Sequence, residues 1–335
     1  CKLNHLGITF KIGKSTLADV NKRRLEVIFE SIYRQLYGTY RHVFSSDSRN
    51  RKPPTCMKRL QIVDSTTITL FSNQLFKGVG RHPKSGKKKR GIKVHTVIYV
   101  NEGGSDIKFT SAATNDSFML KPSTLNKGNI MAMDRAYIDY EKFEQLTQRG
   151  VIYVTEMKKS LKFSIQKDCM WQNHDGLMEV RIQYVTFTKQ IRRETITHHA
   201  RIITYADERK YRLISLLTNN MDDGPAEIIA IYRQLWEIGL LSKQMKQNFP
   251  LKYFYRESVN AIKIQIWGTL IANLLLMVMQ RGLARLWSFS GLTTMVRINL
   301  MYYVDFYSLF NHPEKDWESI LKTTTGEPLQ PSLFD

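Results

Sequence analysis

The spacing of apolar residues changes along the chain, and each change predicts an element. Over residues 15–40, STLADVNKRRLEVIFESIYRQLYGTY, a capping-type Ser15 or Thr16 precedes Leu25, Ile28, Phe29, Ile32, Tyr33 and Leu36 at steps of three and four. That is the spacing of one amphipathic helix. Residues 45–54, SSDSRNRKPP, offer no apolar side chain and two prolines, so a loop leads onward. Residues 59–71, RLQIVDSTTITLF, are short, apolar and β-branched, as a central strand requires, with one carboxylate, Asp64, among them. Further strands are expected at IKVHTVIYV from Ile92, at DIKFTSAA from Asp106, and over 129–133 of NIMAMDRAY, which ends on Asp134. YEKFEQLTQRG predicts a helix closed by Gly150, and VIYVTEMK from Val151 a fifth strand.

From 160 to 219 the pattern alternates. LKFSI, LMEVRIQYVTFT, HHARIITYA and YRLISLLT predict four strands, a β-rich insertion. His174, His198 and His199 lack metal-type spacing with other ligands and are expected to face solvent on these strands, while Trp171 is expected in the core. Asp222-Asp223-Gly224-Pro225 starts a helix that runs to Pro250, one face of which carries Tyr232, Leu235, Gly239, Lys243 and Lys246. The region from Ser258 to Tyr307 reads as helical and apolar. Its longest apolar stretch, 264–279, is interrupted by Gln265 and Asn273, falls short of the roughly 18 uninterrupted residues of a spanning helix, and predicts a buried helix and no membrane.

Charge changes the picture. Among 335 residues, 50 Lys and Arg against 30 Asp and Glu give +20, which points to a polyanion, nucleic acid before an anionic membrane surface. Residues 77–93, KGVGRHPKSGKKKRGIK, carry eight Lys or Arg and no acid. A basic loop beside the first strand is expected to hold phosphates, with Arg81, Lys87, Lys88, Lys89 and Arg90 as the contacts. Cys1, Cys56 and Cys169 are too few and too far apart for a disulfide framework or a zinc site, which fits a reducing cytoplasm. The chain opens on Cys1 and shows no charged-then-apolar leader, so a truncated start without an export signal is expected.

The acids carry the candidate chemistry. Burying an unpaired carboxylate costs several kcal/mol, so Asp64 is expected near solvent at a strand end, hydrogen-bonded, or neutralised by a cation. Asp134 alone could simply begin a helix. Three hairpin-like strands, then carboxylates ending the first and fourth strands, describe an α/β fold with a ribonuclease H-like sheet. Strands one and four of such a sheet are neighbours, which would let Asp64 and Asp134 share divalent cations roughly 4 Å apart.

Three stretches sharpen this: VDSTTITL, MDRAYIDY and YRQLWEIGLLSKQMKQNF. With the basic loop, the β insertion and KIQIWGTLIANLLL, the chain resembles the DDE transposases of bacterial insertion sequences, in the branch whose last helix carries Tyr, Arg, Glu and Lys at steps of three, four and seven. The resemblance implies a ribonuclease H-like mixed sheet with flanking helices and a β-rich insertion before the last catalytic helix. It divides the chain into an N-terminal helical region (1–54), a catalytic domain in two parts (55–159 and 223–312), the insertion (160–222) and a tail (313–335). It implies Mg²⁺, or Mn²⁺ in its place, held by Asp64 and Asp134; water attacks at the element's end, and the freed 3′-hydroxyl then attacks target DNA. Tyr232 and Lys246 match phosphate-holding positions, with Arg233 and Lys243 as further contacts. Leu235 stands where the Arg is expected and Gly239 where the third acid is expected. Glu237 is no substitute, since two residues turn a helix by about 200°.

An impaired enzyme is therefore expected, against a non-catalytic DNA-binding protein that occupies element ends, or a general metal-dependent nuclease. The implied partners are double-stranded DNA of element ends and target, and a second copy of the chain in the DNA complex; the implied place is the bacterial nucleoid. Gln330, Leu333 and Phe334 form a Q-x-x-L-F tail similar to the peptide by which replication proteins dock on the sliding clamp.

Overall fold

The computed structural model describes residues 7, 9, 13–44, 59–70, 90–99, 104–112, 114–172, 179–191, 194–207, 211–249, 258–300 and 305–312. Their strands form one nine-stranded mixed sheet. Strands β1 (Leu60–Leu70), β2 (Arg90–Tyr99) and β3 (Gly104–Ser111) make an antiparallel meander. On the other side of β1 lie β4 (Ile130–Met133) and β5 (Ile152–Glu156), both parallel to it, with α3 (Tyr140–Gln148) between them in sequence. Gly150, at φ 68°, takes the left-handed turn that closes α3.

The next four strands are β6 (Ser164–Gln172), β7 (Glu179–Ile191), β8 (Glu194–Asp207) and β9 (Arg212–Thr218). They extend the same sheet: β9 pairs antiparallel with β5, giving the order β3-β2-β1-β4-β5-β9-β8-β7-β6. β6 begins later than the apolar run at 161–165 suggests. It is an edge strand whose first five residues are exposed on both faces, so burial leaves no alternation there; Cys169 and Trp171 further along are only partly buried against the core, where Trp171 was expected inside it.

Both faces of the sheet are covered. Leu60, Ile62, Ile130, Ala132 and Val154 cluster with Ile228, Ile231, Tyr232 and Leu235 of α4 (Pro225–Asn248), whose first residue is the proline expected there. Val63, Met131, Met133 and Tyr153 cluster with Phe143 and Leu146 of α3 on the opposite face. Ile68, Ile92, Val94 and Ile107 pack with Ile262, Ile266, Trp267 and Leu270 of α5 (Val259–Gly282) and with Tyr33 of α2 (Glu26–Phe44). Helices α6 (Phe289–Asn299) and α7 (Phe306–Asn311) follow. By length and composition α5 could cross a membrane, unlike the shorter stretch expected from sequence. Half of its most apolar window is buried within the protein, in the place of a core helix.

Two expectations are corrected. The stretch 15–40 is two helices: α1 (Lys14–Arg23), preceded by Gly13 rather than capped by Ser15 or Thr16, and α2. Between them Arg24 is extended, and the Asn260 side-chain amide of α5 donates to the carbonyls of Asn21 (3.0 Å) and Arg24 (2.5 Å). That distant cap holds the bend and leaves Leu25 67% exposed. His198, expected at the surface, is fully buried; Ala200 and Ile202 set the inward phase of β8, and His198 shares it. Its Nε2 accepts from the Tyr153 hydroxyl (2.6 Å), and its Nδ1 donates to Glu144 (2.9 Å). His199, one residue on, is exposed as expected.

Burial holds the His198 imidazole below its ordinary 6.5, with Glu144 opposing and His199 reinforcing the shift. A depressed folded-state pKa contributes stability above the unfolded value and loses it as pH falls through the folded one. The urea midpoint is therefore expected to drop on acidification below about 6.5. His198→Phe should flatten that dependence while lowering stability at neutral pH by about 1–3 kcal/mol, because the Tyr153 hydroxyl loses its acceptor. An unchanged pH slope in the variant would remove His198 as the cause.

Candidate active site at the strand tips

The β1–β4 register runs from Leu60 opposite Ile130 to Val63 opposite Met133. Asp64 and Asp134 are the next residue on each strand, so they follow the last pair side by side, on parallel strands about 4.8 Å apart. β1 itself continues to Leu70 against β2, so the half-buried Asp64 lies mid-strand, at the point where β4 stops. Ile62 and Ala132 face α4, and strand alternation carries Asp64 and Asp134 to that face. The same reasoning adds an acid that the sequence reading overlooked. Met133 pairs with Thr155, and Glu156 comes next, on the α4 face beside Asp134. VIYVTEMK ends its apolar run on an acid as NIMAMD does, which was the available signal.

Each acid has a distinct environment. Asp134 keeps an exposed surface, yet partial desolvation by the protein around it pushes its carboxyl above the ordinary range; Asp116 and Glu156 push the same way, while the Arg135 N–H and guanidinium oppose them. Glu156 accepts from the Tyr232 hydroxyl (2.8 Å) and from Arg212 (3.2 Å), both at Oε2, and Arg135 Nη1 stands 3.8 Å from its Oε1. Lys158 also lies near Asp134: burial lowers its ammonium, and Asp134 opposes. Behind Asp64, on the α3 face, Lys93 pairs with Asp116 (3.1 Å). His95 bonds Tyr137 (3.2 Å) and Thr110 (2.8 Å), and burial lowers its imidazole to about 4. Burial lifts the Tyr137 phenol, and Asp116, Asp64 and Asp134 add to the shift.

The other expected residues divide cleanly. Tyr232 is 3% exposed and packs, with Leu235, into the cluster under α4. Arg233 is exposed and near Tyr205, whose phenol burial raises and Arg233 lowers. Gly239 lies in the helical backbone of α4, as do Lys243 and Lys246, whose side chains are outside the described residues. Arg81, Lys87, Lys88 and Lys89, the Arg90 side chain, and Gln330, Leu333 and Phe334 are outside them too. Among the described residues no group of three or more His, Cys, Asp or Glu side chains stands ready to hold a metal ion. Two hard oxygen donors on adjacent strands remain, of the type a divalent cation takes.

Residues 55–275 match the family described as the transposase DDE domain. The chain belongs to that family. The DDE domain thus takes in all of β1 to β9, α4 and most of α5. Relatives include a Sinorhizobium fredii protein named as transposase y4zB, 26% identical over 80% of this chain and 72% of its own length. A Geobacillus stearothermophilus protein named as transposase for insertion sequence element IS5377 is 26% identical over 81% of this chain and 66% of its own. A Synechocystis protein named for insertion sequence element IS4SA is 24% identical over 82% and 73%. The large mixed sheet with helices on both faces is the ribonuclease H-like architecture of this transposase domain.

Proposed function

We propose that this insertion-sequence transposase binds DNA at element ends and cuts phosphodiester bonds with divalent cations held by Asp64 and Asp134, and that Gly239 impairs it. The observation that carries the reading is the parallel register that brings the two acids together on the face crossed by α4. Mg²⁺, or Mn²⁺ in its place, would supply Lewis acidity at a phosphoryl oxygen and a bound water of lowered pKa. Asp64 and Asp134 orient that chemistry as ligands. The Tyr232 ring braces α4 against the sheet beside them. Arg233, Lys243 and Lys246 on α4 and the basic residues 81–90 supply phosphate contacts, consistent with the +20 charge.

Asp64→Asn and Asp134→Asn are each expected to abolish Mn²⁺ retention measured by electron paramagnetic resonance, with the circular dichroism spectrum unchanged. In a Gly239→Glu background each should lower cleavage of terminal-repeat DNA at least about 10²-fold. Wild-type Mn²⁺ retention in both variants would end the proposal. Leu235 and Gly239 together favour one second reading, a protein that occupies element ends without cutting them. It predicts end-specific binding with no cleavage even after Glu is restored.

A further inference from the structure

We propose that Arg135 and Arg212 form a phosphate-binding pair beside Asp134, held in the DNA-free protein by Glu156, whose carboxylate stands where a DNA phosphate would. This rests on the reading above that the acid pair addresses DNA. Three carboxylates, Asp64, Asp134 and Glu156, stand at one level on adjacent strands, so a polyanion approaching them meets repulsion. Cations must answer it there. Arg135, in the short turn after Asp134, and Arg212, opening β9, both reach Glu156.

Their exposures differ in an informative way. The Glu156 side chain is 17% exposed, whereas those of Arg135 and Arg212 are 55% and 43% exposed. The carboxylate is fixed from the protein side by the Tyr232 hydroxyl at 2.8 Å, while the two guanidinium groups open to solvent. A guanidinium carries five N–H donors in a fork that fits phosphate, more than a shared carboxylate can occupy. Ion pairs this exposed are weak and readily exchanged. DNA binding thus replaces one anion by another: the arginines turn from Glu156 to a backbone phosphate, and Glu156 acts as a built-in competitor and not as a metal ligand.

The test measures affinity for a fluorescein-labelled random-sequence duplex in EDTA, where no cleavage can occur, across a range of salt concentrations. Arg135→Ala and Arg212→Ala are each expected to weaken binding and to lower the salt slope by about 1. Both side chains are exposed, so thermal melting should stay as in the wild type. Glu156→Gln keeps an acceptor for Tyr232 but removes the competing charge, and is expected to bind up to about tenfold more tightly. Arg135→Lys and Arg212→Lys, with charge but no fork, should fall between wild type and Ala. Wild-type affinity and slope in both Ala variants would overturn the pair, and Glu156→Gln without a gain would overturn the competition. Loss of Mn²⁺ retention in Glu156→Gln would make Glu156 a metal ligand and overturn its assignment. Because affinity is read without metal, these outcomes remain distinct from failure of the catalytic reading, which shows in Mn²⁺ retention by Asp64→Asn.

Discussion

Replacing Gly239 by Glu is expected to raise Mn²⁺-dependent cleavage of terminal-repeat DNA by about 10²-fold or more, the scale of restoring one electrostatic partner to a reacting phosphate. Tyr232 and Leu235 pack against the sheet from α4, and Gly239 follows them at steps of three and four along the same helix. On a regular helix those steps would put a side chain at 239 on the same side as Tyr232 and Leu235. Two acids from strands give a hard cation few protein ligands, and a third from the helix would complete a shell that water otherwise fills. The substitution also removes a mid-helix glycine, worth about 0.5–1 kcal/mol of stability. That gain alone could raise activity by rigidifying α4, so Gly239→Gln is the needed control. Gln supplies the helix propensity without the charge. If Gln and Glu variants cleave equally, the missing carboxylate is not the lesion.

Trp267→Ala is expected to cost about 3–5 kcal/mol of unfolding free energy. The ring is fully buried where α5 meets α2 and β3, with Tyr33 at 5.5 Å and Phe109 at 5.6 Å between centroids. Among the described residues its indole N–H finds no hydrogen-bond acceptor. A buried unsatisfied donor is itself unfavourable by about 1–3 kcal/mol, so Trp267→Phe loses contact area but also relieves that penalty. Its net cost should be far smaller than that of Ala. Urea denaturation of the two variants decides the matter: equal losses would mean that the cavity is not what destabilises the Ala protein.

The fold was legible where local chemistry and tertiary context agree. Asp64 and Asp134 stand out in sequence because each interrupts or ends a β-branched run, and the register confirms the neighbouring strands that this implied. Pro225 and Gly150 mark a helix start and a helix end by backbone geometry alone. What escaped reading depends on partners far along the chain. The bend between α1 and α2 is held by Asn260, 236 residues from Arg24. Glu156 becomes part of the site through Tyr232, 76 residues away, and through Arg212. His198 is a different case, since the phase of β8 was available in Ala200 and Ile202, and an alternation count would have turned it inward. The Lys93, His95 and Asp116 cluster hides inside strand and turn sequences that look merely polar, because only the folded sheet brings them under Tyr137.

The direct hydrogen bonding of β9 to β5 has one last consequence. A region that loops out of a catalytic domain is usually treated as a removable cassette, to be trimmed for expression or swapped between relatives. Here excision would strip β5 of its neighbour, bare the Val154 and Thr155 backbone as a sticky margin two strands from Asp64, and discard Arg212 as well. Strands β6 to β9 and the strands that carry the acids are one mechanical object.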